Sequence, residues 1–445
     1  MSSHGRNAPI LNAANEKHGR ERDAWAKKTT RIGMNMERRC RFCNAALEFS
    51  FVDLGSTPLA NSFLTAAQLE QPEPSYPLHA RVCHHCWLVQ ADAVVPAHEI
   101  FGEYAYFSSM SESWVEHARR YAATTCERFA LNKHSQVVEV ASNDGYLLKH
   151  YVAAGVPVLG VEPAENIAQV ARSIGVPTEA RFFGQDTANA LVDRGLAADL
   201  VIGNNVLAHV PDINDFVGGL ARIMKPDGVL SLEFPHLLRL IEGAQFDTIY
   251  HEHFYYLSLL AVETILAAHG LAVFDVEELP THGGSLRVFA RRAKGAHEEV
   301  TSGVKKVRCD EAAAGFDHID AYTTFQNKVA PILEGLLAFL KQARADGKKV
   351  AGYGAAAKGN TLLNTCGIGD DLIDYVVDRS PAKQGRFMPG SKLPILEPDR
   401  IFETRPDYVL ILPWNIQDEV ISINRSVSEW GGRFVVAVPE LRVLG

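Results

Sequence analysis

Two cysteine pairs, Cys40-Arg41-Phe42-Cys43 and Cys83-His84-His85-Cys86, hold four of the seven cysteines and stand thirty-nine residues apart. A CxxC turn lets two thiolates grip one metal ion, and two such turns complete a tetrahedral zinc site. The intervening stretch is longer than in compact zinc ribbons, so it must fold as a segment around the metal. Four thiolates close the coordination sphere, and the zinc is expected to build structure rather than do chemistry. The competing reading is buried small hydrophobes or two disulfides. His84 and His85 read as solvated turn residues, and Cys126, Cys309 and Cys366 as isolated core or surface thiols.

At 445 residues the chain has room for about three domains. With 47% hydrophobic and 22% charged residues it can build sizeable cores. Lys+Arg 44 against Asp+Glu 53 gives a net charge of −9, which argues against a nucleic-acid partner because phosphate binding needs a basic face. No apolar run approaches a membrane span and no signal-type stretch opens the chain. Paired cysteines as metal ligands suit a reducing cytoplasm.

Residues 1–35 are polar and irregular and read as a disordered tail, with Met34 or Met36 as an alternative start. Residues 36–105 form the expected zinc-binding domain. Residues 106–299 alternate strands and helices, which implies a parallel sheet with helical crossovers. Strands are expected at 137–140, 158–163, 199–204, 228–233, 272–276 and 285–290, with a turn at Lys225-Pro226-Asp227-Gly228 and a tight loop at Thr281-His282-Gly283-Gly284. Residues 300–345 read as a helical connector. A second, smaller Rossmann-like unit fills 346–445, with strands near 349–353, 375–378, 408–412 and 433–438.

A strand ending in an acid, then a small-residue turn and a helix, offers backbone N–H groups to a ligand. Here Glu139 ends the strand, Ala141-Ser142-Asn143-Asp144-Gly145 makes the turn, and Glu162 closes the next strand 23 positions later, where an acid can hold both hydroxyls of a ribose. A nicotinamide site is the rival, but G-x-G-x-x-G is missing, with Ala141 where its first glycine would stand. S-adenosylmethionine has no pyrophosphate and relaxes the glycine requirement. With the late antiparallel strand, the pattern looks like a class I methyltransferase. The expected cofactor residues are Glu139, Ala141, Asn143, Asp144, Gly145 and Glu162. Asn204 and Asn205 would join them at a further strand end, and Asp186 is placed for the adenine amino group.

Tyr250-His251-Glu252-His253 is the densest run of acid–base groups. A histidine near neutral pKa suits proton abstraction, and an adjacent carboxylate can orient it. If the run were extended, Tyr250 and Glu252 would share one face and the histidines the other. His209 follows another sheet strand and would face the same crevice, while Tyr104 and Tyr106 could form its lid. In the C-terminal unit, Gly352-Tyr353-Gly354-Ala355-Ala356-Ala357-Lys358-Gly359-Asn360 resembles a phosphate-facing loop before a helix. Lys358 could neutralise a diphosphate, Asn360 could cap the helix, and Asp378 could meet a nucleoside hydroxyl.

Six ordered strings carry a resemblance over nearly everything after residue 36: the paired CxxC, E-x-A-S-N-D-G-Y-L-L from Glu139, N-N-V-L-A-H ending at His209, Y-H-E-H at 250–253, H-G-G-S-L-R at 282–287 and G-Y-G-A-A-A-K-G at 352–359. Together they resemble the sugar C-methyltransferases that act on nucleotide-linked deoxysugars. The resemblance implies an α/β enzyme of three parts: a zinc-bearing N-terminal domain, a central class I methyltransferase (Rossmann-like) sheet and a C-terminal Rossmann-like domain. It also implies S-adenosylmethionine as cofactor, structural zinc, and a TDP-linked 4-keto-deoxyhexose methylated at C3. By position His253 matches the family's base, with Tyr104, His209, Tyr250 and Glu252 around it, and Tyr106, Lys358, Asn360 and Asp378 on the substrate. The rivals are a sugar O-methyltransferase, a zinc-containing nucleic-acid methyltransferase and a non-catalytic zinc scaffold.

Overall fold

The seven strands of the central sheet stand in the order 3-2-1-4-5-7-6 when numbered along the chain. They are β1 (Val137–Val140), β2 (Val158–Val161), β3 (Thr178–Glu179), β4 (Ala198–Asn204), β5 (Met224–Pro235), β6 (Leu271–Leu279) and β7 (Ser285–Arg292). The first five run parallel, and β7 enters antiparallel between β5 and β6. This is the class I methyltransferase sheet. Its strands read as short, almost wholly apolar runs because crossover helices cover both faces. The reversal of direction beside β1 opens a crevice at the strands' C-terminal ends, where such sheets bind ligands.

The computed structural model describes residues 38–92, 95, 107–293 and 299–445. The expected tail at 1–35, the alternative starts, Tyr104 and Tyr106 lie outside the described residues. The expected turn at 225–228 is folded into β5 instead. Met224 pairs with Ala198 and Val229 with Leu200, so the residues between bulge out of register. A Cβ on Gly228 would come within 2.7 Å of the Ala198 carbonyl, so glycine permits this close approach.

The C-terminal sheet has β8 (Val350–Tyr353), β9 (Tyr375–Val377), β10 (Ile395–Leu396), β11 (Tyr408–Ile411), β12 (Arg433–Val436) and β13 (Arg442–Leu444). Its order is β10-β9-β8-β11-β12-β13, the Rossmann order, with only β13 antiparallel. A third, four-stranded antiparallel sheet carries the paired cysteines. It consists of Phe49–Thr57, Tyr76–Val82, Val89–Ala91 and, from far along the chain, Tyr255–Tyr256.

Helices Ser302–Ala313, Asp320–Thr323 and Gln326–Ala345 lead from the central to the C-terminal sheet. One apolar cluster joins the N-terminal sheet, these helices and the C-terminal sheet, with Phe51 stacked on Phe325 at 4.6 Å between ring centroids. Both rings are fully buried, which stabilises the junction by about 1.5–3 kcal/mol per side chain. Among the described residues no helix is long and apolar enough to cross a membrane.

Candidate active site

The two CxxC turns are built alike. Asn44 N–H donates to the Cys40 carbonyl and Trp87 N–H to the Cys83 carbonyl, and both Asn44 and Trp87 take positive φ, 62° and 59°. The four sulfurs lie within 4.8 Å of one another. Cys40 Sγ is 3.6 Å from Cys86 Sγ, and Cys43 Sγ is 3.5 Å from Cys83 Sγ. The thiols oppose each other's ionisation: neighbouring Cys83 and Cys86 draw Cys40 down, and Cys40 pushes both of them up. A divalent cation relieves that conflict and takes all four as thiolates. From the first turn, Arg41 donates to the Phe254 carbonyl at 2.7 Å and to Tyr255 Oη at 3.2 Å. The metal turns therefore brace the segment that leaves Tyr250–His253.

At the C-terminal ends of β1 and β4 the backbone is forced into left-handed turns. Ala141 has φ 54°, Asn143 48°, Gly145 79° and Asn205 52°. Glu162 shapes the loop, since its carboxylate accepts from Asn143 N–H and Ala164 N–H, each at 3.0 Å. Glu139 is buried with neither carboxylate oxygen hydrogen-bonded, and burial, aided by the nearby Glu162 and Asp144, pushes its pKa well above the usual range. The Oδ1 atoms of Asp144, Asn204 and Asn205 are likewise buried and unpartnered. Buried polar oxygens without donors are rare and costly, and here they ring one crevice. Hydroxyls and an ammonium group, as S-adenosylmethionine carries, fit such a set of acceptors. Asp186 is exposed on the first turn of helix Gln185–Asp193.

Tyr250–His253 is a turn, not an extended run: His253 N–H donates to the Tyr250 carbonyl at 2.9 Å. The turn brings together two side chains that an extended strand would set on opposite faces. Tyr250 Oη lies 2.9 Å from His253 Nε2. His253 Nδ1 is 3.0 Å from the Thr248 carbonyl, so Nδ1 carries the proton and Nε2 the lone pair. Burial, with His209 and then His282 and Lys358 adding, holds His253 well below the usual histidine range. His209 Nδ1 donates to the Glu252 carbonyl at 2.8 Å, and its ring stands edge-on to His253 with centroids 4.7 Å apart. Burial lowers His209 to about 4.

The other two members of the run turn elsewhere. His251 Nε2 reaches the Pro77 carbonyl at 3.2 Å in the N-terminal sheet. Glu252 accepts from Asn61 Nδ2 at 2.6 Å, and burial raises its carboxyl to about 7.

In the C-terminal unit, helix Ala357–Cys366 has Ala356 as its N-cap. Asn360 therefore does not cap it. It lies buried in the first turn, with Nδ2 donating to the Ala60 carbonyl at 2.5 Å. Asp378 accepts from Ala355 N–H at 2.7 Å and Ser380 N–H at 2.8 Å, and Lys383 donates to the Ala355 carbonyl at 2.8 Å. Lys358, the second residue of that helix, carries a charge felt at Asp247, His282 and His253. Its Nζ donates to Asn415 Oδ1 at 2.7 Å and lies 4.5 Å from the centroid of the Trp414 ring.

Sequence reasoning missed the support of this cleft. Trp414 Nε1 donates to Asp247 Oδ2 at 2.7 Å, and burial raises Asp247 to about 6. His282, at φ 56°, lies 3.4 Å from Asn205 Nδ2 and edge-on to Trp114. Crowding and the Lys358 charge lower its pKa, and its solvent-open side tempers that shift. Beneath it, buried Glu233 pairs with Arg287 at 2.7 Å. His282 and Arg287 stand in the quoted H-G-G-S-L-R string, which was the one available signal. Asp247, Trp414 and Asn61 carried none.

Over 405 residues the chain is 38% identical to C-methyltransferase NovU of Streptomyces niveus, covering 91% of this chain and 96% of that protein. The chain belongs to the C-methyltransferase family. Residues 280–439 match the family model "C-methyltransferase C-terminal domain", 114–276 "Methyltransferase domain", and 40–101 "Putative zinc binding domain". A ubiquinone biosynthesis O-methyltransferase of Bartonella bacilliformis is 25% identical over 96 residues, 21% of this chain and 39% of that one. The magnesium protoporphyrin IX methyltransferase of Synechocystis, solved with S-adenosylmethionine, covers 44% of this chain and 89% of its own at 16% identity and TM-score 0.31. This C-methyltransferase uses S-adenosylmethionine and carries a structural zinc on Cys40, Cys43, Cys83 and Cys86.

Proposed function

We propose that this C-methyltransferase methylates C3 of a TDP-linked 4-keto-deoxysugar, a small molecule of the cytoplasm, through an enolate generated by His253. The observation that carries this reading is the tautomer of His253: Nδ1 is fixed on the Thr248 carbonyl, which leaves the Nε2 lone pair beside Tyr250 Oη. Carbon becomes a nucleophile only when a neighbouring ketone lets its proton leave, so the enzyme needs a neutral base and donors for the oxygen that gains charge. A histidine held neutral by burial is such a base, and a tyrosine hydroxyl is such a donor. His209 completes the pocket in this reading, Glu252 backs it through its bond to Asn61, and Tyr104 and Tyr106 join as substrate contacts on the sequence alone.

S-adenosylmethionine supplies a methyl group already electrophilic on its sulfonium. Glu139, the loop Ala141–Gly145, Glu162, Asp186, Asn204 and Asn205 hold it. The first turn of helix Ala357–Cys366, with Asn360, Asp378 and the Lys383 ammonium, takes the nucleoside diphosphate. The corresponding segments are 36–105 for zinc, 106–299 for the cofactor, 300–345 as connector and 346–445 for the sugar nucleotide. The acidic net charge speaks against a nucleic-acid substrate.

His253→Ala is expected to bind both ligands, yet lose roughly a hundred- to ten-thousand-fold in turnover and in deuterium exchange at C3 without methyl donor. Because His253 is lowered below the usual histidine range, wild-type exchange should stay flat from pH 8 to below pH 6. Exchange surviving in His253→Ala at the wild-type rate would move the base elsewhere. Methylation by wild type without any C3 exchange would point to a hydroxyl as acceptor.

A further inference from the structure

Among the described residues, Lys358 is a cation beside this cleft that the acid–base chemistry above does not use. Lys358 comes from the C-terminal helix Ala357–Cys366, and Asn415 is its one hydrogen-bond partner among the described residues. Two elements aim it. Trp414 lies under the ammonium and is itself pinned by Asp247. The indole also packs so closely on Gly283 that a Cβ there would sit 2.6 Å from Trp414 Cη2. Asp247 does not neutralise Lys358 by direct contact: one of its oxygens takes the indole N–H, and the other is buried without a partner. At a distance Lys358 and Asp247 still act on each other, and the Lys358 charge adds to burial in lowering His282 and, more weakly, His253.

A lysine kept in a cleft with no carboxylate in contact is expensive unless the reaction delivers a negative charge to it. Two anions are candidates, the diphosphate and the enolate oxygen. The loop facing the diphosphate in the reading above already has its own cation. Lys383 donates to the Ala355 carbonyl and lies 3.5 Å from Asp378. Lys358 stands instead over Trp414, whose indole is bonded to Asp247, the neighbour of the Thr248 whose carbonyl holds His253.

We propose that Lys358 is a catalytic residue: its ammonium binds the carbonyl oxygen of the keto sugar and stabilises the enolate, with Trp414 and Asn415 as its positioning residues. This rests on the keto-sugar reading above. As the base takes the proton from the α-carbon, the C–H electron pair becomes the C=C bond and the carbonyl π pair moves onto oxygen, beside Lys358. Return of a deuteron from the base reverses the flow and leaves deuterium on carbon. In this arrangement the base and the cation come from different sheets, so the enolate forms only where the two face each other.

The test uses the full-length zinc-loaded protein with a TDP-4-keto-6-deoxyhexose and no methyl donor, reading deuterium exchange at the α-carbon by mass spectrometry. Lys358→Met keeps the length of the side chain and removes the charge. The exchange rate at saturating substrate should fall about a hundredfold or more, while calorimetric affinity for TDP stays within about threefold of wild type. Asn415→Ala keeps the charge but releases it, and should lower exchange roughly tenfold with TDP binding again unchanged. A Lys358→Met protein that exchanges at the wild-type rate, or that loses TDP affinity as steeply as exchange, overturns the assignment and returns Lys358 to the diphosphate. Wild-type protein that exchanges no α-proton overturns the keto-sugar reading and this inference with it.

Discussion

The two parallel sheets of this molecule present the same local design to their ligand clefts, a strand, a turn of small residues and a helix, but they leave opposite states behind. In the central sheet the third residue of β1 is Glu139, and neither of its buried oxygens has a partner. In the C-terminal sheet the third residue of β8 is Gly352, with no side chain to satisfy. The acid after the neighbouring strand in that sheet, Asp378, has both oxygens engaged by the loop's own amides. The first loop is thus built with acceptors in excess, and the second closes on itself. The contrast separates a loop whose acid needs a ligand to complete its hydrogen bonding from one whose acid is already satisfied by backbone amides.

The sharpest way to break this contrast is Glu139→Gln. Burial raises the Glu139 pKa, so the folded protein holds a proton that the unfolded chain loses near pH 4.3. The stabilising effect of that proton is present below the unfolded value and is lost as pH rises through the folded one. Glutamine does not titrate. The variant should therefore be more stable than wild type without cofactor by about 1–3 kcal/mol at pH 8, and by less at pH 5. At the same time it should bind S-adenosylmethionine more weakly, because a charged acceptor is worth about 1.5–3 kcal/mol, or roughly 10- to 100-fold. Denaturant melts at the two pH values and one titration check both. A variant that loses stability would mean that Glu139 is structural and the contrast false.

The matching change in the second loop should behave in reverse. Asp378→Ala strips hydrogen bonds from two backbone amides, at a cost of about 2 kcal/mol in stability. Its affinity for S-adenosylmethionine should match that of wild type. Unchanged unfolding midpoints in this variant would show that the second loop is as open as the first.

What the sequence made legible follows the same division. The strand pattern, the acid at Glu139 and the paired cysteines are local signals, written in neighbours or in fixed spacings, and the structure departs from them at 225–228, where the expected turn is strand. The acid–base run at 250–253 was legible as a cluster but not as a geometry. Its turn is closed by one backbone hydrogen bond that couples Tyr250 to His253, while Glu252 goes to Asn61, a residue 191 positions away. The grip of Asp247 on Trp414 spans 167 positions. Contacts at such separations leave no period in the chain. Asn360 failed as a cap for a related reason: the helix starts at Ala357, one turn before its first asparagine, and burial against Ala60 claims that side chain.

The smallest effect tests why the first loop can do without a glycine at its first position. Ala141 sits at φ 54° with its amide donating to the Val161 carbonyl at 2.7 Å, so sheet geometry imposes a left-handed backbone on a residue with a Cβ. An L-residue there costs about 1–2 kcal/mol. Ala141→Gly removes that strain but gives the unfolded chain more freedom, worth roughly 0.4–1 kcal/mol in the opposite direction. The two nearly cancel. The variant should therefore unfold within about 1 kcal/mol of wild type and bind S-adenosylmethionine within about twofold, as read by thermal melts and calorimetry. Tenfold weaker binding would instead mean that the alanine methyl touches the cofactor, and the first loop would then be a shaped surface rather than a set of open acceptors.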